Sequence, residues 1–160
     1  WARRRGEFRD PDGSLVAVST VDWVLLDQRG RLIRIPEDFG VAFPNPEIDG
    51  EIIRVVLPSV PADAATVNVR VGPQHLDPMG HVNNAVYLDW VEEAVAAAGG
   101  LDALVATPRR AKIEYAASAE PGDVAEANAW RDDSGWWVRL IRPRDDMVLV
   151  RGRLEVIAGD

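Results

Sequence analysis

Asp77-Pro78-Met79-Gly80-His81-Val82-Asn83-Asn84-Ala85-Val86-Tyr87-Leu88-Asp89-Trp90-Val91-Glu92-Glu93-Ala94 decides how this chain is read. With successive residues set about 100° apart, as in a helix, Asp89, Glu92 and Glu93 fall in one narrow sector. Val86, Tyr87, Leu88, Trp90, Val91, Ala94, Val95 and Ala98 cover more than half of the circumference. The pattern predicts a helix from about Val82 to Ala98, ended by Gly99-Gly100. So wide an apolar arc predicts a helix wrapped by a sheet rather than laid on one. Asn83 and Asn84 break the pattern, because both fall in the apolar sector at the first turn.

Ahead of that helix, one short loop holds a carboxylate, an imidazole and two amides. N–H groups in a helix's first turn have no intrahelical acceptor, and the positive end of the helix dipole lies behind them. Such a place suits an oxygen that becomes negative during a reaction, and Gly80 and Val82 are the candidate backbone donors. Gly80 can also take dihedrals that other residues avoid. Asp77 stands four residues before His81, so the loop can bring both to one bound group. Asp77, His81, Asn83 and Asn84 are the polar groups this loop offers to a bound ligand, with Met79 and Tyr87 beside them as weaker candidates for substrate contact. Each has a plainer reading taken singly, since Asp-Pro opens turns and Asn caps helices. A cap, however, needs one Asn and gains nothing from a second on the apolar face.

Outward from the loop the sequence reads as β-structure. Val67, Val69 and Val71 alternate with Asn68 and Arg70 in a strand before it. After the helix come four strands, Arg109 to Ala119, Val124 to Arg131, Trp136 to Arg142 and Met147 to Ile157, separated by Pro-, Gly- and Asp-rich turns. Strand, long helix, then antiparallel meander is an α+β order with the helix on one sheet face. Upstream, Arg3 to Arg9 is extended, Asp10-Pro11-Asp12-Gly13 turns, and Ser14 to Asp27 is β-rich. Arg29-Gly30 turns again before Leu32 to Ile35, and Pro36 to Phe39 starts a short helix. Residues 41–64 carry Pro44, Pro46, Pro58 and Pro61 and read as a linker with one apolar stretch, Ile52 to Leu57. Phe8-Arg9-Asp10-Pro11-Asp12-Gly13 and Trp130-Arg131-Asp132-Asp133-Ser134-Gly135 echo each other, each leading into an apolar strand. The chain opens at Trp1 inside a strand, and the expectation is that residues upstream of it are absent.

Composition bounds the function. At 160 residues with nearly half apolar, the chain suits one ordinary domain and is short for two. Without cysteine, disulfides, thiolate metal sites and cysteine nucleophiles are excluded. A net charge of −8 disfavours general nucleic-acid binding. No apolar run approaches the roughly 20 residues of a membrane helix, and a cytoplasmic protein is expected. Lacking a Cys/His cluster or a Gly-rich phosphate loop, the chain is expected to use neither metal nor cofactor. Of the tryptophans, Trp90 falls on the buried helix sector, and Trp136 and Trp137 point to opposite sheet faces; as a set they read as core. His75 reads as a loop residue.

The stretch Asp77 to Ala94 resembles the signature of hotdog-fold thioesterases, in which a curved antiparallel sheet wraps a long central helix. Asp22-Trp23-Val24-Leu25-Leu26-Asp27 and Arg34-Ile35-Pro36 resemble the end of the first domain of acyl-carrier-protein thioesterases, which carry two hotdogs in tandem. That resemblance implies residues 1–40 as the C-terminal part of a first hotdog, 41–64 as linker, and 65–160 as a complete second hotdog holding the catalytic loop. It implies hydrolysis of acyl-ACP or acyl-CoA to fatty acid and carrier thiol, and hotdog–hotdog pairing in tandem or as a homodimer. Asp77 would be the catalytic carboxylate, His81 a second polar residue and Asn83 an orienting group. Met79 stands where plant members carry Asn. Glu114-Tyr115 matches the start of a second plant motif whose Glu position holds Ser118 here, with Glu120 two residues on. Arg109 and Arg110 are candidates for a coenzyme A or phosphopantetheine phosphate, with solvated strand residues as the plainer reading. A binder of acyl thioesters without turnover, or a hotdog dehydratase, are the competing classes.

Overall fold

Asp10-Pro11-Asp12-Gly13 reverses the chain between β1 (Ala2–Arg9) and β2 (Leu15–Trp23), which pair antiparallel. This is a computed structural model, and it describes residues 1–27, 29, 31–42 and 52–157. Gly30 of the expected second turn, and Pro44 and Pro46 of the expected linker, lie outside the described residues. The chain divides into two compact units, Trp1–Ile53 and Arg54–Asp160, at a point inside the stretch read as linker.

In the first unit, the long β segment read over Ser14 to Asp27 is split, with β2 ending at Trp23 and β3 (Leu25–Leu26) pairing instead with β4 (Leu32–Ile33). Helix α1 (Glu37–Ala42) follows Pro36. Arg3 and Asp22, opposite each other in the β1–β2 register, form a bidentate pair at 2.7 and 2.8 Å, and Asp22 also accepts the Ile53 N–H at 2.8 Å. The Arg3 hydrogen bonds, ahead of the Ile53 bond, hold the Asp22 carboxyl below its ordinary range against the opposing effect of burial.

The second unit runs β5 (Ala65–Arg70), a single 3₁₀ turn (Pro73–His75), α2 (Asn84–Ala97), α3 (Leu101–Val105), β6 (Arg109–Tyr115), β7 (Val124–Asp132), β8 (Gly135–Arg142) and β9 (Met147–Val156). The strands make one antiparallel sheet in the order β5-β7-β8-β9-β6, so β6 closes the far edge after a crossover. Helix α2 lies mainly over β5, β7 and β8. Its Tyr87, Trp90, Val91, Ala94 and Val95 join Ala125, Ala127, Ala129, Val138, Leu140, Leu149 and Val150 in one core. Alanines along β7 let the helix approach closely, and each buried Val or Leu contributes about 1.5–3 kcal/mol.

Several expectations shift. Helix α2 begins two residues later than predicted, because Asn83 is its cap and not its first turn. The buried arc is narrower than the apolar arc: Leu88 is 39% exposed, since the helix covers one side of the sheet instead of being wrapped on all sides. Strand β6 stops at Tyr115 and not at Ala119, because Ala116 and Ala117 both turn their N–H groups onto the Leu149 carbonyl, at 2.8 and 3.3 Å. Trp90, Trp130 and Trp136 are core, as read, but Trp23 is 59% exposed.

Candidate active site

The loop before α2 is a closed hairpin in miniature. The Asn83 N–H donates to the His75 carbonyl at 2.9 Å and the Asp77 N–H to the His81 carbonyl at 2.8 Å, bracketing the bridge between Leu76 and Val82. At its tip the Gly80 N–H donates to the Asp77 carbonyl at 3.0 Å, with Gly80 at φ +80°. Apart from the two flanking residues, nothing lies within 4 Å of where a Gly80 Cβ would stand, so glycine supplies the dihedral here and not the space. The Asp77 side chain sits inside this frame, its Oδ1 accepting the Met79 N–H at 2.9 Å and the His81 N–H at 3.1 Å. Among the described residues its Oδ2 accepts no hydrogen bond.

The other candidate residues take distinct places around it. His81 is exposed, and its ring makes no hydrogen bond among the described residues. Asn83 caps α2, with extended dihedrals and Oδ1 accepting the Ala85 N–H at 2.9 Å, so its side-chain NH₂ is the part left for a ligand. Of the two backbone groups expected to face an oxyanion, the Gly80 N–H is taken by the turn. The N–H groups of Val82 and Asn84 donate to nothing among the described residues. Met79 is 76% exposed at the loop tip and Asn84 is exposed on the first turn. Tyr87 is buried, with its hydroxyl accepting the Ala119 N–H at 2.8 Å, so it belongs to the core. Arg109 and Arg110 lie at the start of β6, each in a loose ion pair, with Glu92 at 3.7 Å and Glu155 at 3.8 Å. Glu114 is engaged structurally, accepting from the Val55 N–H at 2.9 Å and Arg151 at 3.2 Å. Ser118 donates to the Ala119 carbonyl at 3.2 Å, and Glu120 pairs with Arg144 at 3.3 Å.

Two residues outside the candidate set also hold this region. His75 is more than a loop residue: its Nδ1 accepts the Gly72 N–H at 3.0 Å and its ring meets Trp90 edge-on. At the end of β6, Tyr115 donates from its hydroxyl to the Asn84 carbonyl at 3.2 Å. Period-two spacing from Ala111 and Ile113 was the available signal that Tyr115 shares their sheet face. A separate cleft, lined by Gly100, Asp102, Arg131, Asp132, Ser134 and Trp136, lies at the opposite end of α2 and holds none of the candidate residues. Among the described residues no group of three or more His, Cys, Asp or Glu side chains stands together as a metal site. No helix among them is long and apolar enough to cross a membrane.

With this geometry the chain has known relatives in fold. An acyl-ACP thioesterase from Bacteroides thetaiotaomicron superposes with a TM-score of 0.69 at 15% identity, over 96% of this chain and 61% of its own. The 12:0-ACP thioesterase from Umbellularia californica gives 0.69 at 22% identity, again over 96% and 61%. A Lactobacillus plantarum protein described as an oleoyl thioesterase gives 0.70 at 20% identity, over 98% of this chain and 64% of its own. The chain thus spans 61–64% of the length of these structures. No curated protein sequence matches it. The family model for the acyl-ACP thioesterase C-terminal domain matches residues 61–142, which run from before β5 to the end of β8 and include the whole loop. The chain belongs to the acyl-ACP thioesterase family.

Proposed function

We propose that this chain carries the hydrolytic site of an acyl thioesterase that cleaves fatty acyl thioesters to the free acid and the carrier thiol. The observation that carries the reading is the Asp77 carboxylate, held on Oδ1 by two backbone N–H groups directly before the first turn of α2, in a chain of this family. A fixed carboxylate with one free oxygen is preorganised to act on a bound group. In one route Oδ2 takes a proton from water, whose oxygen adds to the thioester carbonyl; the tetrahedral oxyanion then collapses, expelling the thiolate, which takes up the proton. In the other, Oδ2 itself adds to the carbonyl, expels the thiolate, and water hydrolyses the resulting anhydride. Both routes form an oxyanion, and the Val82 and Asn84 N–H groups together with the Asn83 NH₂ are its donors in this reading. His81, with both ring nitrogens available, orients the water or the carbonyl.

The same reading makes residues 65–160 a hotdog unit, joined through 41–64 to a unit at 1–40, with pairing of hotdog units in tandem or between chains and a cytoplasmic setting. The substrate is an acyl-ACP, with acyl-CoA as the alternative carrier and binding without turnover as the alternative activity. The experiment is hydrolysis of acyl-CoA and acyl-ACP esters, from short to long chains, by the wild type and by Asp77→Asn. Turnover lost in the variant supports the reading and ranks the carriers. Tight binding with no turnover by either protein makes the chain a binder and removes the catalytic roles.

A further inference from the structure

Four aromatic rings form a continuous row beside the loop. His75 meets Trp90 with ring centroids 5.3 Å apart, Trp90 meets Tyr87 at 5.4 Å, and Tyr87 meets Tyr115 at 5.9 Å, each pair edge to face. The row starts on the turn after β5, crosses α2 through two of its buried residues and ends on the edge strand β6. Both of its ends grip the site. At one end the His75 carbonyl accepts the Asn83 N–H at 2.9 Å. At the other the Tyr115 hydroxyl donates to the Asn84 carbonyl at 3.2 Å. Two consecutive residues, the cap and the first residue of α2, are thus referenced from opposite sides to one rigid row.

We infer that Tyr115 is a positioning residue for the thioesterase site, setting the first turn of α2 and with it Asn83, the Val82 and Asn84 N–H groups and the stem of the Asp77 loop. This rests on the reading of that loop as the hydrolytic site. The hydroxyl is the part that matters: the ring alone would pack against Tyr87 equally well as phenylalanine. Burial, with Tyr87 alongside, pushes the phenol above its ordinary value, so the hydroxyl keeps its proton and remains a donor at neutral pH. Tyr115 is nevertheless 41% exposed, on the flank where Leu88, one turn beyond Asn84, is also open, so it is not a core residue held only for stability.

The test is Tyr115→Phe in the full chain, measured beside Asp77→Asn. Loss of one hydrogen bond that sets geometry predicts kcat down about three- to tenfold, with KM within twofold and the thermal midpoint little changed. Amide hydrogen exchange supplies an arm that needs no turnover: residues 82–88 exchange several-fold faster in the variant, while 101–105 do not change. Wild-type kcat in Tyr115→Phe, a KM effect alone, or unchanged exchange at 82–88 overturns the inference. Full activity in Asp77→Asn, or no hydrolysis by the wild type, sinks instead the reading of the site; the exchange result then still decides whether Tyr115 sets the helix turn.

Discussion

Asp10-Pro11-Asp12-Gly13-Ser14 and Asp77-Pro78-Met79-Gly80-His81 are the same device built twice. In each the aspartate N–H donates to the carbonyl of the fifth residue, at 3.0 and 2.8 Å, and the glycine N–H donates to the aspartate carbonyl at 3.0 Å. In each, Oδ1 accepts the N–H groups two and four residues on, at 3.0 and 2.8 Å for Asp10 and 2.9 and 3.1 Å for Asp77. Both glycines have positive φ, +86° and +80°. Asp27 repeats the grip on Arg29 and Arg31. A carboxylate clasped by backbone N–H groups is therefore a way of closing a turn, and says nothing of catalysis by itself. The two loops differ in the element each one enters. The first passes into β2, whose Leu15, Val16 and Val18 are exposed. The second passes into a capped helix whose first N–H, that of Asn84, is open among the described residues, with an imidazole where the first has a serine hydroxyl.

The sharpest way to break the comparison is to neutralise both aspartates. Asparagine keeps the side-chain oxygen that closes the turn, so both folds survive. Asp77→Asn should lower kcat by about 10²–10⁴, the usual loss of a general base, and Asp10→Asn should stay within about twofold of wild type. Equal activity in the two variants would reduce Asp77 to a turn residue.

Asp123 supplies the contrasting case of a carboxylate whose work is structural. It is buried at the turn before β7, takes the Glu120 N–H at 2.9 Å, and pairs with Arg142 at 3.2 Å and Arg144 at 3.3 Å. Burial alone would raise its carboxyl, but the Glu120 N–H and the two arginines outweigh it and hold it below the ordinary range. With the folded value below the unfolded one, its contribution is complete above the unfolded value of about 4 and fades as pH falls through the folded value. Asp123→Asn should then cost about 1–3 kcal/mol at pH 7, and urea midpoints of variant and wild type should converge below about pH 4. A gap that persists at pH 2 would contradict this.

Alanine at the two glycines separates turn from site. Gly13→Ala and Gly80→Ala should each lose about 1–2 kcal/mol from the left-handed dihedral, by thermal or urea unfolding. A drop in kcat/KM should accompany only Gly80→Ala. The smallest effect is expected from Asn83→Ala, which removes the α2 cap at about 1 kcal/mol and the proposed NH₂ donor with it. Asn83→Ser should restore the stability while leaving kcat depressed, and recovery of both would assign Asn83 to capping alone.

How far the letters reach depends on the range of the interactions. The loop, the helix behind it and the meander of β7, β8 and β9 are all legible, because turn closure, capping and period-two or helical spacing act over a few residues. Asn83 as a cap was one of two local readings, and the geometry chose it by starting α2 at Asn84. Long-range matters were decided only by tertiary structure. Leu88 is as apolar as its buried helix neighbours Val91 and Val95, and its exposure depends on which face another element covers. The bond between Tyr115 and Asn84 joins residues 31 apart, and it exists because the folded chain brings the end of the edge strand β6 to the first turn of α2. By itself the sequence determined which groups could do chemistry and the turn that presents them. The fold decided which apolar side chains stay open and what holds that helix in place, because packing sums contacts that no local pattern contains.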